Sequence, residues 1–186
     1  MANGTLKVQN IQTSSGTGTI TLGQSGETII FGSGVTTKFN QPAFEAKLTT
    51  DQNPTDNALT KVQFNTKVFD TDNAYDNTTN YRFTPQVAGK YFVYASVSGF
   101  ANSTSSIVHN YAIIYKNGSV VKFGLLDFRN SNAYHVNTNV SGIIDMNGST
   151  DYLEIYGALD VVSGTPEFDG NSDGRTSFGA YRLGVE

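Results

Sequence analysis

The sequence contains no cysteine, so no disulfide braces the chain and no thiolate serves as nucleophile or metal ligand; stability must come from burial and association. Charged residues make up only 15%, and the net charge of -4 leaves no basic stripe to neutralise phosphates, which excludes a general nucleic-acid binder. No apolar run approaches the length of a membrane span, so no membrane insertion is expected. The first ten residues, MANGTLKVQN, lack the basic and apolar regions of a secretory signal. No window of apolar spacing supports a helix longer than a turn or two. Reaction motifs are missing as well: there is no Gly-x-Ser-x-Gly elbow, no phosphate-cradling glycine loop and no His-Glu-x-x-His. The two histidines, His109 and His135, have no Cys, His or carboxylate at metal-ligand spacing and read as hydrogen-bonded strand residues. Asp151 with Glu154, and Asp127 with Asp145, are carboxylate pairs of the type used in glycoside cleavage, but their separation depends on the fold. The expectation is a non-enzymatic protein with no catalytic residues.

What is present is turn chemistry and rings. Nineteen glycines, abundant Thr, Ser and Asn, ten Tyr and twelve Phe point to an all-β protein with many turns. The stretch from Tyr75 to Phe100 organises the rest. After breaks at Pro85 and Gly89, Tyr91, Val93, Ala95 and Val97 alternate with Phe92, Tyr94, Ser96, Ser98 and Phe100, the period of a β-strand. Rings on both faces predict a central strand covered on both sides by packed layers. Upstream, Phe44, Leu48, Val62, Phe64, Val68 and Phe69 are the expected apolar anchors of the first strands. Downstream, Lys116-Asn117-Gly118 between two apolar runs predicts a hairpin. A strand over 132–146 leads to a second Asn-Gly turn at Asn147-Gly148. In the strand that follows, Tyr152, Glu154 and Tyr156 share one face and Leu153 and Ile155 the other.

The run Phe83-Thr-Pro-Gln-Val-Ala-Gly89-Lys-Tyr91-Phe-Val-Tyr94 resembles the signature of the complement component 1q globular-head family, with a Gly-x-Tyr strand shared by the tumour necrosis factor family. Pro42–Ala46 resembles its first strand, Val62–Asn65 the next, and Asn73–Asp76 the turn before the core. Tyr111–Val121 resembles its middle hairpin and Thr176–Leu183 its closing strand. Val93 stands where the family usually has Phe, and one extra residue separates Tyr75 from Phe83, departures that point to a distant microbial or viral branch. The resemblance implies an antiparallel jelly-roll β-sandwich over 41–186 that associates as a homotrimer. Tyr91, Tyr94, Tyr111, Tyr152, Tyr156, Phe178 and Tyr181 are the candidates for the trimer axis or the monomer core, Tyr being suited to interfaces because its ring buries while its hydroxyl reaches a partner.

Residues 1–40 differ in kind. Short extended pieces carrying Ile20, Leu22, Ile29 and Phe31 are interrupted by glycines every few residues, too little apolar surface for one copy to offset the entropy of ordering. They read as a stalk or attachment arm that orders on trimerising or on docking to a larger assembly, or else as a flexible leader. Two loops invite ion readings. Asp70–Asn77 offers three carboxylates, though a self-capped turn is the simpler reading. Asp169-x-Asn171-x-Asp173-Gly opens like a calcium loop but has Ala180 where a bidentate Glu belongs. Asp169, Asn171 and Asp173 therefore stand as candidate calcium ligands against a plain hairpin loop joining the last two strands. A cysteine-free trimer without a secretory signal fits a phage virion component at the virion surface. It would be a fibre or receptor-binding module joined to other virion proteins through residues 1–40, with loops 70–77 and 167–174 facing a host-surface carbohydrate or protein. The alternatives are a capsid decoration, cement or head-fibre trimer and a free soluble lectin-like binder.

Overall fold

The computed structural model describes residues 11, 20, 28–35, 41–102 and 105–184. The chain divides into two units, residues 1–39 and 40–186. In the first, the described residues form a turn at Ser33-Gly34, where the Val35 N–H bonds the Gly32 carbonyl at 3.2 Å. Ile20, Ile29 and Phe31 are exposed, while Leu22 lies outside the described residues.

The second unit is an antiparallel sandwich with no helix among the described residues. One sheet, A, contains β1 (Ala43–Lys47), β3 (Thr66–Asp70), β6 (Gly89–Ala101), β9 (His135–Met146), β11 (Pro166–Phe168) and β12 (Ser177–Arg182). The other, B, contains β2 (Thr60–Lys61), β4 (Tyr75–Asp76), β5 (Arg82–Phe83), β7 (Ile107–Lys116), β8 (Ser119–Asp127) and β10 (Leu153–Val161). The long strand β6 is central as expected. β9 runs along one of its edges from Gly89↔Met146 to Phe100↔His135, while β12 and β11 share the other. In sheet B, β10 lies between β7 on one side and β5 and β2 on the other, and the Asn117-Gly118 hairpin delivers β8 to the edge. Both Asn117 and Gly118 have positive φ, the conformation that makes Asn-Gly a hairpin signal.

The core is the space between the sheets. Tyr91, Val93, Ala95 and Val97 of β6 are buried there. Rings concentrate at the end where β1 begins: Phe44 stacks on Phe83 at 4.2 Å and on Tyr75 at 5.0 Å, and meets Phe178 edge-on at 4.9 Å. Such pairs add about 0.5–1.5 kcal/mol each beyond their burial. The phenols that enter this cluster find carbonyls. Tyr75 Oη donates to Phe64 O at 3.1 Å and Tyr91 Oη to Val87 O at 2.8 Å. Burial raises the Tyr75 pKa well beyond the ordinary phenol range and pushes that of Tyr91 up to about 12.

Four expectations need correction. Val62–Asn65 is not a strand: Val62 and Phe64 plug the core from an irregular segment between β2 and β3. Val68 and Phe69 are not core anchors but exposed, because a register shift in β1–β3 pairing throws the edge strand off its alternation. The loop between β11 and β12 is not a hairpin, since both strands pair with β6 one after the other and residues 169–176 form an excursion between them. Among the described residues no packed layer of the same domain covers the outer face of β6: Phe92, Tyr94 and Phe100 there are only partly buried.

The sandwich has two distinct ends. Pro42 enters beside Arg182, and Ala43 is tied to Thr71, so loop 71–74 lies at the entry end. At the far end Lys47 Nζ donates to Ser172 O at 2.8 Å, placing loop 169–176 there.

Candidate functional site

The candidate site is the outer face of sheet A, built in rows by strand register. In the row nearest the entry end, Ile143, Phe92, Tyr181 and Ala43 stand side by side across β9, β6, β12 and β1. The next row holds Ser141, Tyr94, Gly179, Glu45 and Phe69. Phe92 packs against Tyr181 at 5.4 Å and Tyr94 at 6.3 Å. Gly179 explains how Tyr94 lies down across β12. A Cβ there would run into the Tyr94 hydroxyl and come within 2.9 Å of the Phe44 carbonyl. The prone ring brings Tyr94 Oη to Glu45 Oε2, to which it donates at 2.6 Å. Desolvation, reinforced by this carboxylate, raises the Tyr94 pKa beyond the ordinary phenol range. Beyond these rows the face turns polar, with Ser96 bonded to Asn137 and to the Arg175 carbonyl.

Ile143 is 57% exposed, Tyr181 46% and Phe69 46%. A run of large apolar groups on one face is more than isolated surface hydrophobes and makes this face the candidate association surface. A second apolar surface lies on β8, where Val120, Val121, Phe123 and Leu125 are all exposed. Among the described residues the one ring that Phe123 touches is Tyr111, at 5.3 Å.

The seven sequence candidates separate into three places. Tyr91 and Phe178 are fully buried in the monomer core. Tyr94 and Tyr181 stand on the outer face of sheet A. Tyr111, Tyr152 and Tyr156 belong to sheet B or its border: Tyr156 packs on Tyr115 at 4.4 Å, and the Arg82 guanidinium lies 4.6 Å over the Tyr152 ring. Phe92, Ile143, Phe69 and the β8 set were missed, although Phe92 was legible as the odd-faced ring of β6. The β8 residues had a signal too, four apolar side chains in a strand that follows an Asn-Gly turn and so reaches a sheet edge.

The remaining candidates are committed to partners. Asp169 and Asp173 converge on Arg175, at 3.2 and 3.1 Å, and Asn171 Oδ1 accepts the Asp173 N–H at 3.0 Å. These carboxylates already face a guanidinium, and among the described residues no group of three His, Cys, Asp or Glu is arranged to hold a metal. Asp70 bonds the Ala74 and Tyr75 N–H groups and pairs with Lys67, and Asp76 takes the N–H groups of Thr78, Thr79 and Asn80, so loop 70–77 is self-capped. Those three amides and the Asn80 side chain hold the Asp76 carboxyl far below the usual carboxylate range.

His135 Nε2 lies 2.7 Å from Ser98 Oγ and 3.1 Å from Asp169 Oδ2. Serine, histidine and aspartate therefore meet, but both contacts fall on one ring nitrogen, and a relay needs them on opposite nitrogens. His109 Nδ1 bonds Asp160 at 2.9 Å. Of the carboxylate pairs, Glu154 is bound to Lys61 at 2.6 Å and Asp151 to Lys116 at 2.8 Å. Asp127 is held by Arg129 at the end of β8, and Asp145 by Lys90 on sheet A. Each of the four carboxylates is thus committed to a cation of its own.

Solved structures define the class of fold. The crystal structure of murine APRIL superposes with a TM-score of 0.56 at 10% identity, covering 77% of this chain and all of that one. The globular domain of the zebrafish complement 1qA protein does so with a TM-score of 0.56 at 14% identity, covering 79% of this chain and all of that one. No protein-family model matches the sequence, and no curated protein matches it. The fold is therefore the jelly roll of the complement 1q and tumour necrosis factor type.

Proposed function

We propose that this protein is a non-enzymatic homotrimeric module of a virion surface, a fibre or receptor-binding component attached to other virion proteins through residues 1–40. One observation carries the trimer: the outer face of sheet A presents Phe92, Tyr94, Tyr181, Ile143 and Phe69 with no layer of the described residues over them. Because the β8 surface is a different apolar patch, the natural contact is heterologous, β8 of one copy against the outer face of sheet A of the next. Such head-to-tail contacts close into a ring where the rotation between copies permits it, and the resemblance in fold supports a ring of three. The ring accounts for both surplus patches at once.

The attachment role rests on the Gly/Thr-rich leader, whose few apolar residues suit ordering against a larger assembly. Loops 70–77 and 167–174 cannot present one common contact surface, because they lie at opposite ends of the sandwich. Loop 167–174, far from the point where Pro42 enters, is the end available to a host surface in an arm-anchored trimer. Labelling of purified particles with an antibody to residues 41–186, read by electron microscopy, tests the role. Label on tail fibres is the expected result; label on the capsid shell would replace the fibre role with decoration, and unlabelled particles would end the virion reading.

A further inference from the structure

A cleft of about 520 Å³ opens at the entry end, between the β3 border of sheet A and the β4–β5 border of sheet B. Its volume falls within the roughly 300–1,000 Å³ usual for small-ligand sites. The wall is made of amides and hydroxyls, from Asn73, Asn77, Asn80, Gln86, Thr78 and Thr84, joined by Lys67, Asp76 and Arg82. The charges there are not equal in what they have left to offer. Asp76 spends both carboxylate oxygens on its own turn. Lys67 is held by Asp70 at 3.0 Å and by Asn73 Oδ1 at 2.7 Å. Arg82 differs: among the described residues its guanidinium has no carboxylate and no hydrogen-bond acceptor, and it is held in place by the face of Tyr152.

Stacking fixes a guanidinium while leaving its N–H edge free, and that edge matches a carboxylate in bidentate fashion. Around this single uncommitted charge the amides still have unpaired atoms. Asn77 and Gln86 use their NH₂ groups on the carbonyls of Asn65 and Thr84, leaving oxygens to accept, while Asn73 uses its oxygen and leaves its NH₂ to donate. A wall that alternates acceptors and donors suits vicinal hydroxyls, each of which does both.

We infer that this cleft binds an acidic saccharide, its carboxylate on Arg82 and its ring hydroxyls on Asn73, Asn77 and Gln86. The inference adds to the binding-module reading a second site, at the end opposite loop 167–174, and does not depend on the trimer, since every lining residue comes from one chain.

The test is calorimetric titration of the full-length chain with a glucuronate-containing disaccharide, its carboxyl-reduced neutral counterpart, and inorganic phosphate. The acidic disaccharide is expected to bind at least tenfold more tightly than the neutral one. Arg82→Gln should erase that preference. Asn73→Gly, which keeps a residue suited to the positive φ of 53° at that position, should weaken both sugars alike with the melting temperature preserved. No preference for the acidic sugar, a preference that survives Arg82→Gln, or phosphate binding as tightly as the disaccharide would each overturn the assignment. Sedimentation of the same samples separates the two readings. A trimer that ignores the sugars loses the cleft alone, and a monomer that binds them loses the trimer alone.

Discussion

The two faces of β6 carry similar chemistry to different ends. Inward, Tyr91, Val93, Ala95 and Val97 are sealed against the opposite sheet, and the rings around Phe44 contact one another at 4.2–5.0 Å. Outward, Phe92 and Tyr94 pack on their sheet neighbours and, among the described residues, have no second layer over them, so they stay partly exposed. The inner rings have contacts on all sides and are fully used in folding one chain. The outer rings are only partly buried, so the energy of burying the rest of their surface becomes available only on association, at roughly 25 cal/mol per Å². Identical residue types thus divide into those that make the domain and those that make the assembly.

Substitutions should separate the faces. Phe44→Ala removes the hub of the inner cluster and is expected to destabilise the domain by about 3–5 kcal/mol, read as a large fall in the denaturation midpoint. Phe92→Asp combined with Tyr181→Asp should instead leave the far-ultraviolet spectrum of the domain unchanged while reducing the mass in light scattering to that of one chain. If the double variant unfolds the domain, or remains fully associated, the division between faces is wrong.

Smaller effects sharpen the comparison. Asp76→Ala frees three backbone N–H groups and should cost about 2 kcal/mol, the scale of hydrogen bonds to a charged group. Its folded pKa is lowered, so its contribution is present above the unfolded value near 3.9 and disappears as pH falls toward the folded value; in Asp76→Ala that part of the acid sensitivity should vanish. The inner phenols work in the opposite direction. Tyr91, raised to about 12, stabilises the fold fully below the unfolded value near 10, and that contribution is lost as pH climbs through 10 to 12. Absorbance at alkaline pH should therefore show a late phenolate step that coincides with unfolding. Calcium should do least: with Arg175 already between Asp169 and Asp173, added calcium should leave the melting temperature unmoved, and a rise of several degrees would refute that arrangement.

The fold was legible because local signals agreed. Alternation located β6, Asn-Gly placed the β7–β8 hairpin, and Phe83 to Tyr94 carried the resemblance. Register was not. Val68 and Phe69 look like core residues until the shift in β1–β3 pairing exposes them. Likewise Tyr111 and Tyr156 have the same composition as Tyr94 and Tyr181, and only strand pairing assigns them to the other sheet. The calcium-like loop gave no hint of its neutralisation, because the side chain of Arg175, which follows the Asp-x-Asn-x-Asp-Gly opening, is not one of the motif's ligands yet answers its charge. The cleft was invisible for a related reason: Arg82 becomes significant only when Tyr152, seventy residues away by number, is seen beneath it.

Sedimentation equilibrium of the intact chain at micromolar concentration tests the central claim most directly. A single species near three times 20.0 kDa is the predicted result, whereas a species of 20.0 kDa that persists as concentration rises would contradict it.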